Sequence, residues 1–207
     1  MTAALVEVDA LSRRFRGREV IRRLDLTADG GERVALSGPN GSGKTTLLRC
    51  IAGTLTATSG SVRVGGSLAG SLAARELVGV SFSQERSFYL RLSARTNLLF
   101  FARLRHTSSR AAERDVDRLD EELELESILP ERVDECSSGM VQQLAFARAL
   151  LGEPPVLLLD EPTRSLDTAA VERLWGALER RRDRAVLVAT HRADDLDRCD
   201  RHIDLPS

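Results

Sequence analysis

Apolar residues change their spacing several times along this chain, and each change marks an element. Over residues 5–11 the pattern alternates, with Val6, Val8 and Ala10 on one face, which predicts a half-buried strand. Residues 20–27 predict a second strand, Gly30-Gly31 marks a turn, and residues 34–37 form a short buried strand. The spacing then becomes helical: Leu47, Leu48, Ile51 and Ala52 share a face, and the pattern stops at Gly53. Residues 61–64 and 78–82 read as further strands. From about residue 85 to residue 152 helical spacing dominates. Ser93 caps a helix carrying Leu98, Phe101 and Leu104, and Ser108 or Ser109 caps another with Val116, Leu119 and Leu123. Ser137-Ser138-Gly139 opens a third, which continues through Leu144, Ala145, Ala147, Arg148 and Leu151. Residues 156–159 are wholly apolar, as a strand buried in a parallel sheet requires. A helix with Val171, Leu174, Trp175 and Leu178 on one face follows, with Trp175 read as core packing. Residues 185–189 form the last clear strand.

The order is strand–loop–helix, a helical insertion, and a return to strand–helix–strand. It predicts an α/β fold with a mostly parallel sheet, an antiparallel portion at the N-terminal end and an inserted helical subdomain. Residues 1–207 form one domain, with 1–84 and 152–207 as the core and 85–151 as the insertion. No internal repeat, low-complexity tract or flexible linker interrupts it.

Composition changes this picture little. A net charge of −1 lacks the basic footprint of a nucleic-acid binder. Cys50, Cys136 and Cys199 show no CxxC spacing, so neither a disulfide framework nor a zinc site is expected, and a reducing cytoplasm fits. The first residues show no secretory leader. The longest uncharged apolar run is the five residues 98–102, against roughly twenty needed to span a bilayer, so any membrane crossing falls to another chain. The acidic excess over residues 115–126 reads as a solvated helix face.

One lysine stands among the 30 basic residues, and it lies in Gly38-Pro39-Asn40-Gly41-Ser42-Gly43-Lys44-Thr45-Thr46. A loop this rich in glycine turns backbone N–H groups inward as a nest for phosphate oxygens. Lys44 adds a point charge on a long stem that reaches β- and γ-phosphates, and the Thr45 hydroxyl is a ligand for Mg²⁺. The loop follows an apolar strand and precedes an apolar helix, the context this motif requires. The second strong signal is the buried strand ending in Asp160-Glu161-Pro162. It delivers two carboxylates to the carboxyl edge of the sheet, where ligands of open α/β folds bind. Asp160 is placed to hold Mg²⁺ and Glu161 to orient or deprotonate an attacking water.

With these motifs in order, nearly the whole chain resembles the ATP-binding subunit of an ABC transporter, and exporter-type members in particular. The resemblance implies a P-loop ATPase that binds ATP and Mg²⁺ through the loop at 38–46, Asp160 and Glu161. It further implies that Phe15 stacks on adenine, that Gln84 senses Mg²⁺ and the γ-phosphate, and that His191 contacts the γ-phosphate. Ser165-Leu166-Asp167 matches the family's loop that crosses between subunits. The family's diagnostic element is usually Leu-Ser-Gly-Gly-Gln, whereas this chain has Cys136-Ser137-Ser138-Gly139-Met140. Ser137, Ser138 and Gly139 are the implied contacts to a nucleotide held by a second copy, and Cys136 replaces leucine rather than acting as a nucleophile. Such a subunit works as a homodimer or paired with another ATPase subunit, peripheral on the cytoplasmic face of the membrane, against separate transmembrane permease subunits. The run at 85–91, with Phe88, Tyr89 and Leu90, is the expected docking surface.

The short ending after Asp200 leaves no room for an appended regulatory domain, which favours export over import. Drug, lipid or polysaccharide exporters and the haem-exporter ATPase of cytochrome c maturation both remain open on this reading. A soluble ABC ATPase acting on ribosomes or DNA would typically carry two cassettes and a basic groove. A nucleoside kinase or GTPase would lack the 137–139 element, and no NKxD motif is present.

Overall fold

In the computed structural model residues 4–82 and 87–205 are described. Their contacts divide the chain into two units, one of Met1–Val78, Pro155–Glu161 and Arg182–Ser207, the other of Gly79–Pro154 and Pro162–Arg181.

The first unit opens on β1 (Val6–Phe15) and β2 (Arg18–Ala28), an antiparallel pair joined at Arg16-Gly17. Both turn residues have positive φ (47° and 84°), the conformation of a two-residue type I′ hairpin. Phe15 therefore ends a strand, paired with Arg18. With β4 (Ser59–Val64) and β5 (Ser67–Leu68) the hairpin builds a four-stranded sheet in the order β2-β1-β4-β5. A second, five-stranded sheet has the order β6-β7-β8-β3-β9. Its strands are β3 (Arg33–Ser37), β6 (Val78–Ser81), β7 (Val156–Asp160), β8 (Ala185–Ala189) and β9 (Arg201–Asp204). Leu157–Leu159 and all of β8 are buried, which explains why these strands read as unbroken apolar runs. Pairing of β7 with β8, β8 with β3 and β3 with β9 is parallel throughout, so the four strands end on one edge. Helix α1 (Lys44–Ile51) buries Leu47, Leu48, Cys50 and Ile51, and two short helices, α2 (Leu72–Glu76) and α7 (Ala193–Leu196), complete the unit. Strand β9 is a correction: residues 185–189 are not the last strand, because Arg201–Asp204 adds to the far side of β3.

The second unit holds α3 (Ala94–Arg103), α4 (Ser109–Leu123), α5 (Ser138–Leu150) and α6 (Thr168–Glu179). Ser93, Ser108 and Ser137 each cap a helix by accepting a bond from the backbone three residues on. Asp167 caps α6 in the same way. Trp175 is buried in the core, as its position on α6 predicts.

The acidic stretch of α4 departs from expectation. Asp115 is buried and Glu122 is half-buried, and both are enclosed by an arginine network rather than fully solvated. Arg181, whose side chain is 7% exposed, donates to both oxygens of Glu122 at 2.5 and 2.8 Å and to both of Glu153 at 3.0 and 2.8 Å. Arg118 bridges Asp115, Glu122 and Glu153, and His106 and the Gly152 N–H complete the shell of Asp115. Burial opposes the charge of Glu122, yet its bonds to Arg181 and Arg180 win, and its pKa lies below the ordinary carboxylate value. A depressed carboxylate contributes stability above its unfolded pKa and loses it as pH falls through the folded one. Replacing Arg181 by Met leaves a buried carboxylate short of its partner, so Arg181→Met should cost about 3 kcal/mol at neutral pH. Chemical denaturation of both proteins across pH checks this: the deficit should shrink once pH drops below about 4, where Glu122 is protonated in the unfolded chain and then in the folded one.

Candidate functional site

Three loops leave the carboxyl edge of the parallel sheet, and the strand order decides which side chains meet. Strand β8 runs between β7 and β3, so His191, just past β8, is flanked by the carboxylates after β7 and the glycine-rich loop after β3.

The loop needs its glycines for stated reasons. Gly38 has φ 127°, and a Cβ there would lie 2.4 Å from the Leu205 carbonyl oxygen and 2.9 Å from Ser42 Oγ. Gly43, with φ 102°, is the N-cap of α1 and offers no side chain to its first turn, so the leading N–H groups of that helix have no side-chain cap. Helix α1 thus begins as an uncapped positive end facing the loop, the arrangement that favours a bound anion. Lys44 is buried, 8% exposed, and its Nζ donates to the carbonyl oxygens of Gly38 at 2.6 Å and Pro39 at 3.1 Å. An ammonium carries three donors, so these bonds leave one more direction for a ligand. Ser42 Oγ is buried without a hydrogen-bond partner among the described residues.

Thr45 Oγ1 donates to Asp160 Oδ2 at 2.8 Å, joining two residues 115 positions apart. Burial raises the Asp160 pKa and the neighbouring Glu161 charge adds to that, while the Thr45 bond, Arg49 and Lys44 pull it down; the net direction is up. Glu161 takes a left-handed backbone, φ 49°, which costs a side-chain-bearing residue on the order of 1 kcal/mol. Its N–H donates to the Ala189 carbonyl at 2.8 Å, so the strain redirects the side chain while the ladder continues. Glu161 Oε1 lies 2.7 Å from His191 Nδ1, and the imidazole is largely exposed. Phe15 is 40% exposed, with the Arg13 guanidinium 4.4 Å from its ring centroid.

These residues of the first unit fit a nucleotide and a divalent cation on their own chemistry. The loop is a cradle a Cβ would fill, the Ser42 hydroxyl is buried with no partner, and a hydroxyl and a carboxylate stand side by side as hard oxygen ligands. Gln84 lies outside the described residues.

The remaining predicted residues lie in the second unit. Ser137 caps α5 by accepting from Met140 N at 3.2 Å, and its own N–H meets Met140 Sδ at 3.4 Å. The methionine that replaces the usual residue thus closes a capping box, and the hydroxyl keeps its proton to donate. Ser138 and Ser137 are exposed. A Cβ on Gly139 would sit 2.6 Å from the Ser165 carbonyl oxygen, so this glycine permits the start of α5 to touch the 165–167 loop. Asp167 Oδ1 accepts from Ala170 N at 2.8 Å. Burial, then three nearby carboxylates, raise the Cys136 pKa, the opposite of an activated thiol.

Sequence reasoning missed two supports. Leu205, after β9, backs Gly38, and it could not be placed while β9 was unseen. Thr190 and Asp195, both buried, are bonded to each other at 3.1 Å, and Thr190 also accepts from Arg192 N, bracing the turn that carries His191. The acidic first turn of α7, two residues past His191, is the signal that could have found Asp195.

A family model described as ABC transporter matches residues 21–164. The chain is 36% identical over 201 residues to Nod factor export ATP-binding protein I of Neorhizobium galegae, covering 95% of this chain and 58% of that protein. It is 34% identical over 209 residues to the uncharacterized ABC transporter ATP-binding protein YdbJ of Bacillus subtilis, covering 98% and 67%. It spans about three-fifths of the length of the Nod factor relatives from N. galegae and Rhizobium meliloti. Among solved structures it superposes on an ATP binding subunit of an ABC transporter with a TM-score of 0.87 at 28% identity, covering 97% of this chain and 85% of that one. It also superposes on a dimeric, post-hydrolysis state of the ATP-binding cassette MJ0796 bound to ADP and Pi, with a TM-score of 0.88 at 25% identity, covering 97% and 94%. The chain belongs to the ABC transporter family, as one of its ATP-binding cassettes.

Proposed function

We propose that this chain binds and hydrolyses ATP to energise a transporter, acting in pairs against separate transmembrane subunits at the cytoplasmic face of a membrane. The observation that carries the reading is the paired contact at one sheet edge, Thr45 to Asp160 and Glu161 to His191, beside an uncapped α1. Relatives named for Nod factor export support export as the direction. No described helix is long and apolar enough to cross a membrane.

The residues divide the work. Lys44 and the N–H groups of the loop and α1 hold the phosphates, and Phe15 offers a ring face to the base. Thr45 and Asp160 would hold Mg²⁺, which when bound supplies positive charge at the transferring phosphoryl group. Glu161 accepts the proton of the attacking water, and His191 fixes the Glu161 carboxylate through Nδ1. Ser137, Ser138 and Gly139 of an opposing copy cover the γ-phosphate with a helix N-terminus, so two copies close on two nucleotides. Asp167 lies on the same crossing surface. Tyr89, Leu90 and Leu92, all exposed, present the docking face for the membrane subunit; Phe88 is buried and packs within its own unit.

Glu161→Gln keeps shape and loses the base. ATP turnover should fall by on the order of 10²- to 10⁴-fold while the pair stays closed on ATP, read by phosphate release and by size-exclusion with MgATP. Parental turnover would reassign the base.

Asp160→Asn removes a charge whose burial raised its pKa. Ionised Asp160 opposes folding at neutral pH, and that cost disappears as pH falls through the raised folded value. The nucleotide-free variant should melt at or above the parental temperature, yet lose the Mg²⁺ dependence of its ATP affinity. A marked drop in melting temperature would make Asp160 a structural residue.

Gly139→Ala forces Ser165 aside, so it should slow turnover at least as much as Ser137→Ala, with ATP affinity of the monomer nearly unchanged in both. Steady-state hydrolysis and equilibrium binding of a fluorescent ATP analogue separate the two quantities.

A further inference from the structure

Arg148 is a half-buried cation that the proposed mechanism leaves without a task. It lies near the end of α5, and desolvation lowers its pKa to about 10. No carboxylate among the described residues forms an ion pair with it. Its Nη1 donates to the Ser87 carbonyl at 2.8 Å, and its guanidinium carbon stands 4.5 Å from the Phe88 ring centroid and 5.1 Å from that of Phe101. The two rings meet edge to face at 6.0 Å. Its partners are two aromatic rings and one carbonyl, each weak alone.

The segment that Arg148 grips is also held from α3. Asn97 is fully buried and turns its amide wholly to backbone: Oδ1 accepts from Tyr89 N at 2.8 Å, and Nδ2 faces the carbonyls of Tyr89, Leu92 and Ser93 at 3.0, 3.4 and 3.1 Å. Residues 87–92 are thus fastened at both ends, while Tyr89, Leu90 and Leu92 remain 51%, 43% and 42% exposed. Tyr89 leans on Phe100 at 5.0 Å. An exposed apolar surface is being held in a fixed shape by a buried amide and a half-buried guanidinium.

Ser138, at the other end of α5, is ten residues away, a helical distance of about 15 Å. We propose that Arg148 is a positioning residue that fastens the 87–92 surface to α5, so that a load applied where the helix opens at Ser137 moves Tyr89. The inference rests on the reading that residues 137–139 contact a nucleotide held by an opposing copy. Arginine is required rather than lysine, because the broad guanidinium can touch two rings while donating to a carbonyl, whereas an ammonium is a single point charge. Helix α5 runs unbroken from Ser138 to Leu150 and so forms a continuous element between the two contacts.

The chain has a single tyrosine, so 3-fluorotyrosine gives one ¹⁹F signal, at position 89. In the Glu161→Gln background, MgATP should pair the chains and shift that signal. Adding Arg148→Met should abolish the shift while ATP affinity and pairing by size-exclusion persist, and Arg148→Lys should not restore it. A full shift in either paired variant overturns the proposal, as does a parental pair whose signal stays put. The lysine variant, which keeps the charge and most of the stem, decides the matter if the methionine variant fails to fold. If MgATP does not pair the Glu161→Gln chains at all, the opposing-copy reading fails and takes this inference with it, an outcome that size-exclusion alone distinguishes.

Discussion

The hydrogen bond from Thr45 to Asp160 depends on the strand order of the parallel sheet, and so does everything else at the site. Thr45 opens α1 after β3, Asp160 ends β7, and β8 lies between those strands. The register Leu36↔Ala189 and Asp160↔Ala189 brings all three strand ends level. A slip of one residue in either pairing would move Asp160 or the glycine-rich loop by about 3.3 Å along the strand and turn its side chain to the other face. The fully buried apolar strands are what prevent the slip, because burying them in any other register would leave their polar ends in the core. Packing of the sheet is therefore the cause of the chemistry at its edge.

Adjacent carboxylates would normally compete, since one raises the pKa of the other. The chain separates them by backbone conformation. Asp160 is the last extended residue of β7 and points toward Thr45, and Glu161 turns left-handed and reaches His191. The strain at Glu161 is small against the benefit of two carboxylates with different neighbours. One is held beside a hydroxyl as a hard-ligand pair, the other beside an imidazole on the solvent side.

Much of this was legible in the residues. The glycine-rich loop announces itself because no other loop needs positive φ at Gly38, Gly41 and Gly43 together with a lysine next door. Strands β7 and β8 are legible because full burial removes polar positions. Strand β9 was not, since Arg201-His202-Ile203-Asp204 alternates intermediate and exposed positions at a sheet edge and carries no apolar run. The burial of Asp115 and Glu122 was equally hidden. Their partners Arg118, Arg180 and Arg181 are spread over more than sixty residues, and an acidic helix face looks the same whether water or arginine covers it. Gly139 was legible as a glycine but not for its reason, because the close neighbour is the Ser165 carbonyl of a distant loop.

The near-absence of lysine now has a structural counterpart. Arg181 uses its fork against two carboxylates, Arg148 touches two rings while donating to the Ser87 carbonyl, and Arg13 covers Phe15 while donating to the Thr56 carbonyl. Each task needs planarity or several donors in one plane, and a lysine could replace none of them. At position 44 the demand is reversed. The side chain must thread a loop narrow enough to exclude a Cβ at Gly38, keep contact with two carbonyls, and still present charge to a ligand. A guanidinium spreads its donors in a plane and does not reproduce a compact ammonium held by two carbonyls. Arginine serves wherever the partner is a flat or forked surface, and lysine is kept where the cation sits between backbone carbonyls.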